Sequence, residues 1–175
     1  ITTANTLTIN TDQTIFDQAT VEAGHIDMTS RLFSNRSGTL KLIGTNLQKF
    51  NISGLFDNTQ GSLLSNGNLQ FTLGQLNGVS LFNTGGSISA LGQASLFIKA
   101  DGRINNSAEG ETAGGKMNAG GLLTLEAASL LNRHGTIASR LNNLKLIALG
   151  GLDNTRGKLK AKNESDITNE KKKND

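Results

Sequence analysis

A worn but regular repeat runs along most of this 175-residue chain and limits what the chain can fold into. Its kernel is an apolar residue, any residue, Asn, two further residues, Gly, one more residue and then Leu or Ile, as in FDNTQGSL at residues 56–63. Successive kernel asparagines are separated by 23, 25, 23, 26 and 22 residues. They are Asn35, Asn58, Asn83, Asn106, Asn132 and Asn154. A nearly fixed period of this size predicts a solenoid in which each repeat forms one coil.

A second motif lies between the kernels and alternates apolar with polar residues, as in GNLQF at residues 67–71. Strict alternation is the period of a β-strand with one face buried and the other in water. No stretch of the sequence sustains the i, i+3, i+4, i+7 apolar stripe of a helix. We therefore expect an all-β chain in which each coil holds two or three short strands, separated by corners that carry Asn and Gly.

Stacked coils place equivalent residues about 4.8 Å apart, the spacing of parallel paired strands. About seven coils of 22–26 residues would then form a parallel β-solenoid with three internal ladders of apolar residues. The first predicted ladder is Phe33, Phe56, Leu81, Ile104, Leu130 and Leu152. The second is Leu40, Leu63, Ile88, Met117, Ile137 and Leu159. The third is Ile26, Leu47, Leu69, Ala94, Leu123 and Leu144.

The kernel asparagines are expected to stack as an amide ladder at one corner. Each side chain would bond its neighbour in the next coil or a turn amide that otherwise has no partner. Asn also tolerates the left-handed conformation of a tight corner, so a purely local turn role is the alternative. In the first coil, Phe16-Asp17-Gln18 stands where later copies carry apolar-x-Asn.

The repeat also predicts the domain organisation. Residues 1–159 form the repeat domain, which we expect to be a fragment of a longer solenoid. Residues 107–114 exceed the repeat length and should leave the solenoid as a loop. Residues 160–175 are rich in charge and poor in apolar residues, so this tail is expected to fray. Residues 166–168, 23 positions after Leu144, fit one last thin strand.

Composition and charge exclude several classes of protein. The chain has 21 Gly and no Pro, Cys, Trp or Tyr, so disulfides and thiolate chemistry are excluded. No apolar run approaches the length of a membrane-spanning helix. Residues 112–163 hold eight basic and two acidic groups, against six and eight in residues 1–111. The basic region lacks the aromatic residues that stack on nucleobases. We expect no nucleic-acid partner and interpret this region as a solvated outer face, with a polyanion site as the alternative.

The kernel LDNTRGKL, the strand motif GLLTLEA and the period resemble the filamentous haemagglutinin repeats of bacterial two-partner-secreted exoproteins. These include adhesins, haemolysins and contact-dependent inhibition proteins, and the resemblance covers about residues 15–159. It implies a right-handed parallel β-helix that is exported through an outer-membrane secretion partner and displayed at the bacterial surface. It further implies a structural shaft, with a host or target-cell receptor as a further partner. Neither a secretion-domain signature nor a toxin domain is recognisable in the sequence.

Candidate catalytic residues are few, and we expect no enzyme activity and no cofactor or metal. Residues 110–116 fit the glycine and lysine spacing of a phosphate-binding loop, but Met117 replaces the hydroxyl residue that would bind Mg²⁺. His25 and His134 are isolated from each other and from any Cys. The acidic residues are scattered, yet a carboxylate pair assembled across coils is possible in a solenoid. A carbohydrate-active β-helix enzyme is therefore the alternative function.

Overall fold

The computed structural model describes residues 1–108, 110 and 113–169. All regular secondary structure in these residues is β-strand. The strands are β1 Thr2–Ile15, β2 Thr20–Ser34, β3 Thr39–Leu42, β4 Gln48–Asp57, β5 Ser62–Ser65, β6 Leu69–Leu73, β7 Val79–Phe82, β8 Ser87–Ala90, β9 Leu96–Ala100, β10 Arg103–Asn105, β11 Lys116–Ala119, β12 Leu123–Ala127, β13 Ser129–Leu131, β14 Thr136–Ser139, β15 Leu144–Ala148, β16 Leu152–Asp153, β17 Lys158–Lys160 and β18 Ser165–Thr168. No helix that could cross a membrane is found among the described residues.

The strands pair in parallel with their equivalents one repeat away, which confirms the predicted β-solenoid of about seven coils. Three sheets run along it. The first sheet contains β7, β10, β13 and β16, the second contains β3, β5, β8, β11, β14 and β17, and the third contains β6, β9, β12, β15 and β18. The longer strands β2 and β4 bend across these sheets in the early coils, and β1 pairs with β2 at the N-terminal end.

The first two apolar ladders follow the register of the repeat. Phe33 pairs with Phe56, Phe56 with Leu81, and the series continues through Ile104 to Leu130 and Leu152. In the second ladder the pairing runs from Val21 to Leu40, Leu63, Ile88, Met117, Ile137 and Leu159. Most of these side chains are fully buried, and only the last of each ladder is partly exposed. Stacked phenyl rings reinforce the early coils, since the Phe33 and Phe56 centroids lie 4.7 Å apart and those of Phe50 and Phe71 lie 4.5 Å apart.

The predicted third ladder is wrong at two of its six positions. Gln48 pairs with Leu69, so Gln48 takes the place expected for Leu47, which is 42% exposed. Leu96, rather than Ala94, pairs with Leu69 and Leu123. The reason is corner length, because residues 43–47 and 91–95 are longer connections than residues 66–68 of the coil between them. Buried Gln48 accepts a hydrogen bond from the Ile26 N–H at 2.9 Å and donates to the Gly44 carbonyl at 3.1 Å.

The C-terminal region is more regular than the expected frayed tail. Strands β17 and β18 continue the second and third sheets, and Ile167 pairs with Leu146. The tail remains too polar to bury this strand, because every residue of β18 is exposed. The rest of the predicted tail, residues 170–175, lies outside the described residues.

The predicted loop 107–114 is described only in part, since residues 109, 111 and 112 are not among the described residues. Its base is closed by the Gly115 N–H, which donates to the Asn106 carbonyl at 3.0 Å. The equivalent bond from Gly61 to Asn58 closes an ordinary three-residue corner at the same distance. The extra residues therefore enter the chain between the two ends of a turn that is otherwise preserved.

Candidate functional site

The six kernel asparagines form one continuous chain of side-chain hydrogen bonds. The Nδ2 of each of the first five donates to the Oδ1 of the asparagine in the following coil, at 2.6–2.8 Å. All but the last are fully buried, and Asn154 is partly exposed. A buried amide is tolerated only when its donors and acceptors are satisfied, which the stacked coils achieve mutually. The ladder and the turn role are thus combined, because Asn58 Nδ2 also donates to the Gly61 carbonyl within its own corner.

The kernel glycine is required by close approach of the backbone. A Cβ on Gly61 would lie 2.1 Å from the Asn35 carbonyl oxygen and 2.6 Å from Asn58 Oδ1. The residue before this glycine takes positive φ, at 56° in both Gln60 and His134. The kernel therefore specifies a corner, in which Asn and Gly are held by structural constraints.

The amide ladder ends at Asn35 because Phe16 occupies the equivalent position in the first coil. The Phe16 N–H bonds the Ser34 carbonyl just as the Asn35 N–H bonds the Asp57 carbonyl. The alignment of Gln18 with the kernel Asn is therefore wrong, since Gln18 takes the positive-φ corner position. A phenyl ring has no amide to donate, and Asn35 Oδ1 has no hydrogen-bond partner within the described part of the chain.

The two sequence features that resembled catalytic motifs are part of the solenoid. Met117, which follows the phosphate-loop-like spacing, points into the core and is fully buried, and strand β11 follows where a phosphate-binding loop requires a helix. His25 is partly buried and lies 3.4 Å from the Gln48 and Asn46 side-chain amides. His134 is exposed at a corner. These histidines lie in separate coils and form no joint site.

Some carboxylates of the outer faces are engaged in hydrogen bonds and ion pairs, among them Asp12, Asp57 and Asp153. Hydrogen bonds from the backbone and side chain of Thr155, together with Arg133, lower the pKa of Asp153 to about 2. The hydrogen bond from Arg31 lowers the pKa of Asp12. A general acid needs a raised pKa, which is the opposite direction. Among the described residues, no group of three or more His, Asp or Glu side chains is arranged to hold a metal ion.

A shallow groove of about 240 Å³ crosses the outside of the first sheet beside a small hairpin. Leu32, Leu55 and Leu76 supply much of its apolar lining, and Asp17, Arg36 and Asp57 stand among its polar residues. Leu76 belongs to the hairpin, in which Leu76 and Val79 exchange backbone hydrogen bonds at 2.9 and 3.0 Å. Asn77 and Gly78, both with positive φ, form its tip.

The sequence prediction missed this hairpin, although Asn-Gly is a strong signal for a two-residue hairpin turn. The groove that it borders is open and small. Its polar lining includes two acidic groups and one basic group beside the leucines.

No protein-family model, no curated protein and no solved structure matches this chain.

Proposed function

We propose that this chain is the structural shaft of a secreted, surface-displayed bacterial exoprotein of the filamentous adhesin or contact-dependent inhibition kind. Its role is to give reach and to present a binding face to a host or target-cell receptor. An outer-membrane secretion partner would export the parent protein. The resemblance of the repeat to filamentous haemagglutinin repeats supports the export route and the surface location.

The observation that carries this proposal is the uninterrupted stacking of coils. Apolar ladders and the asparagine chain continue from coil to coil, so each coil supports the next and length grows with repeat number. A rod of this kind separates its two ends by a fixed distance. The kernel residues are occupied by corner geometry, which favours a mechanical role over a catalytic one.

The test of display uses intact cells of the source bacterium. An antibody raised against the purified chain should label unpermeabilised cells, and a protease added outside should remove the label. Deletion of the gene for the secretion partner should abolish surface labelling and leave the protein inside. Labelling that requires permeabilised cells would contradict the proposal.

An activity assay of the purified chain distinguishes the shaft from the rival function, a carbohydrate-active β-helix enzyme. A panel of polyuronates and neutral glycans should give no turnover above that of the heat-unfolded protein. Turnover that is lost on Asp57→Asn or Asp153→Asn would favour the enzyme, since these carboxylates stand on the outer face of the first sheet.

A further inference from the structure

One corner of the solenoid concentrates the exposed large aliphatic side chains. This corner joins the second sheet to the third and comprises residues 43–47, 66–68, 91–95, 120–122, 140–143 and 161–164. Ten large hydrophobic side chains are exposed among the described residues, and five of them lie here. They are Ile43, Leu47, Leu91, Leu122 and Leu141, each 37–55% exposed. We call these five residues the apolar corner.

The apolar corner follows one edge of the rod, with its members at different positions across the corner. Ile43 and Leu91 directly follow strands of the second sheet. Leu47 and Leu122 directly precede strands of the third sheet, and Leu141 lies between these positions. The members of the apolar corner belong to four different coils, and successive coils are separated by about 4.8 Å. The five residues therefore span roughly 19 Å along the solenoid axis. Because the backbone on both sides of the corner is held in paired strands, the stacking of coils fixes the axial spacing of these side chains.

Uncompensated cations lie in and near the C-terminal part of this corner. Arg140, Lys160 and Lys162 lie in it or next to it, and Lys116 and Lys158 lie at the start of β11 and β17. All five are exposed. None of them forms an ion pair with a described carboxylate, whereas Lys41 on the same sheet pairs with Glu22 at 3.2 Å. Arg140, Lys160 and Lys162 line one shallow depression of about 330 Å³, and Leu141 follows Arg140 in the chain. The nearest acidic residue along the chain is Glu164, which is exposed in the last coil.

We propose that the apolar corner and its cations form a peripheral binding site for an anionic lipid bilayer. Interfacial membrane binding has two elements. Aliphatic side chains enter the membrane interface, and neighbouring Lys and Arg side chains contact the anionic headgroups. The long stems of Lys and Arg can lie along the apolar boundary while their charges reach the headgroups. A soluble polyanion would use the cations and leave the leucines in water, and an uncharged surface would not use the cations. This inference does not depend on the proposed shaft role.

The test measures partition of the whole chain onto vesicles by flotation. Binding is expected to mixed phosphatidylcholine–phosphatidylglycerol vesicles and to weaken at high ionic strength, with little binding to phosphatidylcholine alone. Each cation near an anionic surface contributes about fivefold in partition. The variant R140Q/K160Q/K162Q should therefore lose on the order of a hundredfold. The variant L91Q/L122Q/L141Q should lose at least about tenfold, because its side chains no longer favour the interface.

Two control variants match these changes in chemistry and exposure. I15Q/L149Q removes aliphatic side chains that are 59% and 52% exposed but lie away from the corner. K49Q/K99Q removes exposed cations from the outer face of the third sheet. Both controls should keep most of the binding. All variants alter exposed positions, and circular dichroism with the melting midpoint checks that each is folded.

Three results would overturn the proposal. Equal loss in the control and corner variants would show that no defined site exists. Equal partition onto neutral and anionic vesicles would remove the role of the cations. Binding of dextran sulfate that is unchanged by the leucine substitutions, without vesicle binding, would assign the surface to a soluble polyanion instead.

Discussion

At the scale of single residues, the buried asparagine is the least replaceable part of the repeat. Asn83 accepts from Asn58 Nδ2 at 2.7 Å and donates to Asn106 Oδ1 at 2.7 Å, with no access to water. Removing its amide leaves two neighbouring polar side chains short of a partner in the interior. An unsatisfied buried group costs more than the net value of the bond that it has lost.

We predict that Asn83→Ala lowers the free energy of unfolding by on the order of 3 kcal/mol. Asn154→Ala is the matched control and should cost clearly less, because Asn154 is partly exposed and only one ladder bond reaches it. Guanidinium unfolding followed by circular dichroism measures both variants. Equal losses of unfolding free energy in the two variants would mean that the amide stabilises its own turn rather than the ladder.

A second residue-scale prediction concerns the apolar ladder. Leu63 is fully buried on β5, while its neighbour Ser62 points outward and is half-buried. Leu63→Ala should lower the free energy of unfolding by about 2–5 kcal/mol through lost burial and the cavity that remains. Ser62→Ala should change it little, and a similar loss in the two variants would contradict the observed strand phase.

At the scale of strands and corners, the sequence predicts much more of the core than of its connections. The kernel residues of successive coils lie in register because Asn and Gly specify one corner geometry. The number of residues between two kernels is therefore the length of one complete coil. The predicted strand phase is wrong at Leu47 and Ala94, which lie in the corner between the second and third sheets. This corner varies in length from coil to coil and has no diagnostic residue. Gln48 is buried through hydrogen bonds that hydrophobic periodicity does not show.

The outer surface is predicted least well. The basic region was recognised from the sequence, but its position beside the apolar corner was not. Residues such as Leu91, Leu122 and Leu141 belong to different repeats, and only the stacking of coils brings them to one corner of the rod. The alternation of apolar and polar residues identifies which side chains face inward. Which outward-facing side chains become neighbours depends on the number of residues in each corner.

The extra residues after Asn106 provide an element-scale prediction. Deletion of residues 109–114, together with Ala108→Gly, leaves an Asn-x-Gly-Gly corner like that of residues 83–86. The new glycine supplies the positive φ that this position needs. Because the Gly115–Asn106 bond already closes the turn, we expect an unchanged strand signal and a melting midpoint that hardly falls. Loss of the cooperative transition would show that the loop is part of the fold.

At the scale of the whole molecule, the open end of the first coil is the weak point. Leu7 and Ile9 pack against the core through the pairing of β1 with β2, and among the described residues no coil covers their other side. Both are only half-buried. At the opposite end, Leu159 is flanked by Lys158 and Lys160. Exposed strand edges above an apolar cross-section favour association between copies.

We predict that Leu7→Lys and Ile9→Lys each reduce self-association, because a charge on the open apolar end opposes contact with a second copy. Thr8→Lys is the control on the exposed side of the same strand and should have a smaller effect. Light scattering over a concentration series measures the change. An equal reduction by Thr8→Lys would point to net charge rather than to the open end.

The single direction of the asparagine chain has a consequence for growth. Phe16 ends the amide chain at its acceptor side, while the Nδ2 of Asn154 donates to the Gly157 carbonyl of its own corner, at 3.3 Å. Among the described residues no further asparagine accepts from Asn154. Each coil thus offers the same donor to the coil that follows it. Folding on such a template has one unfavourable nucleation step, after which each repeat folds against the coil that is already formed. If a polypeptide emerged from a narrow opening and its coils closed one after another, its movement through the opening would be one-way. Each closed coil would be too wide to pass back through the opening.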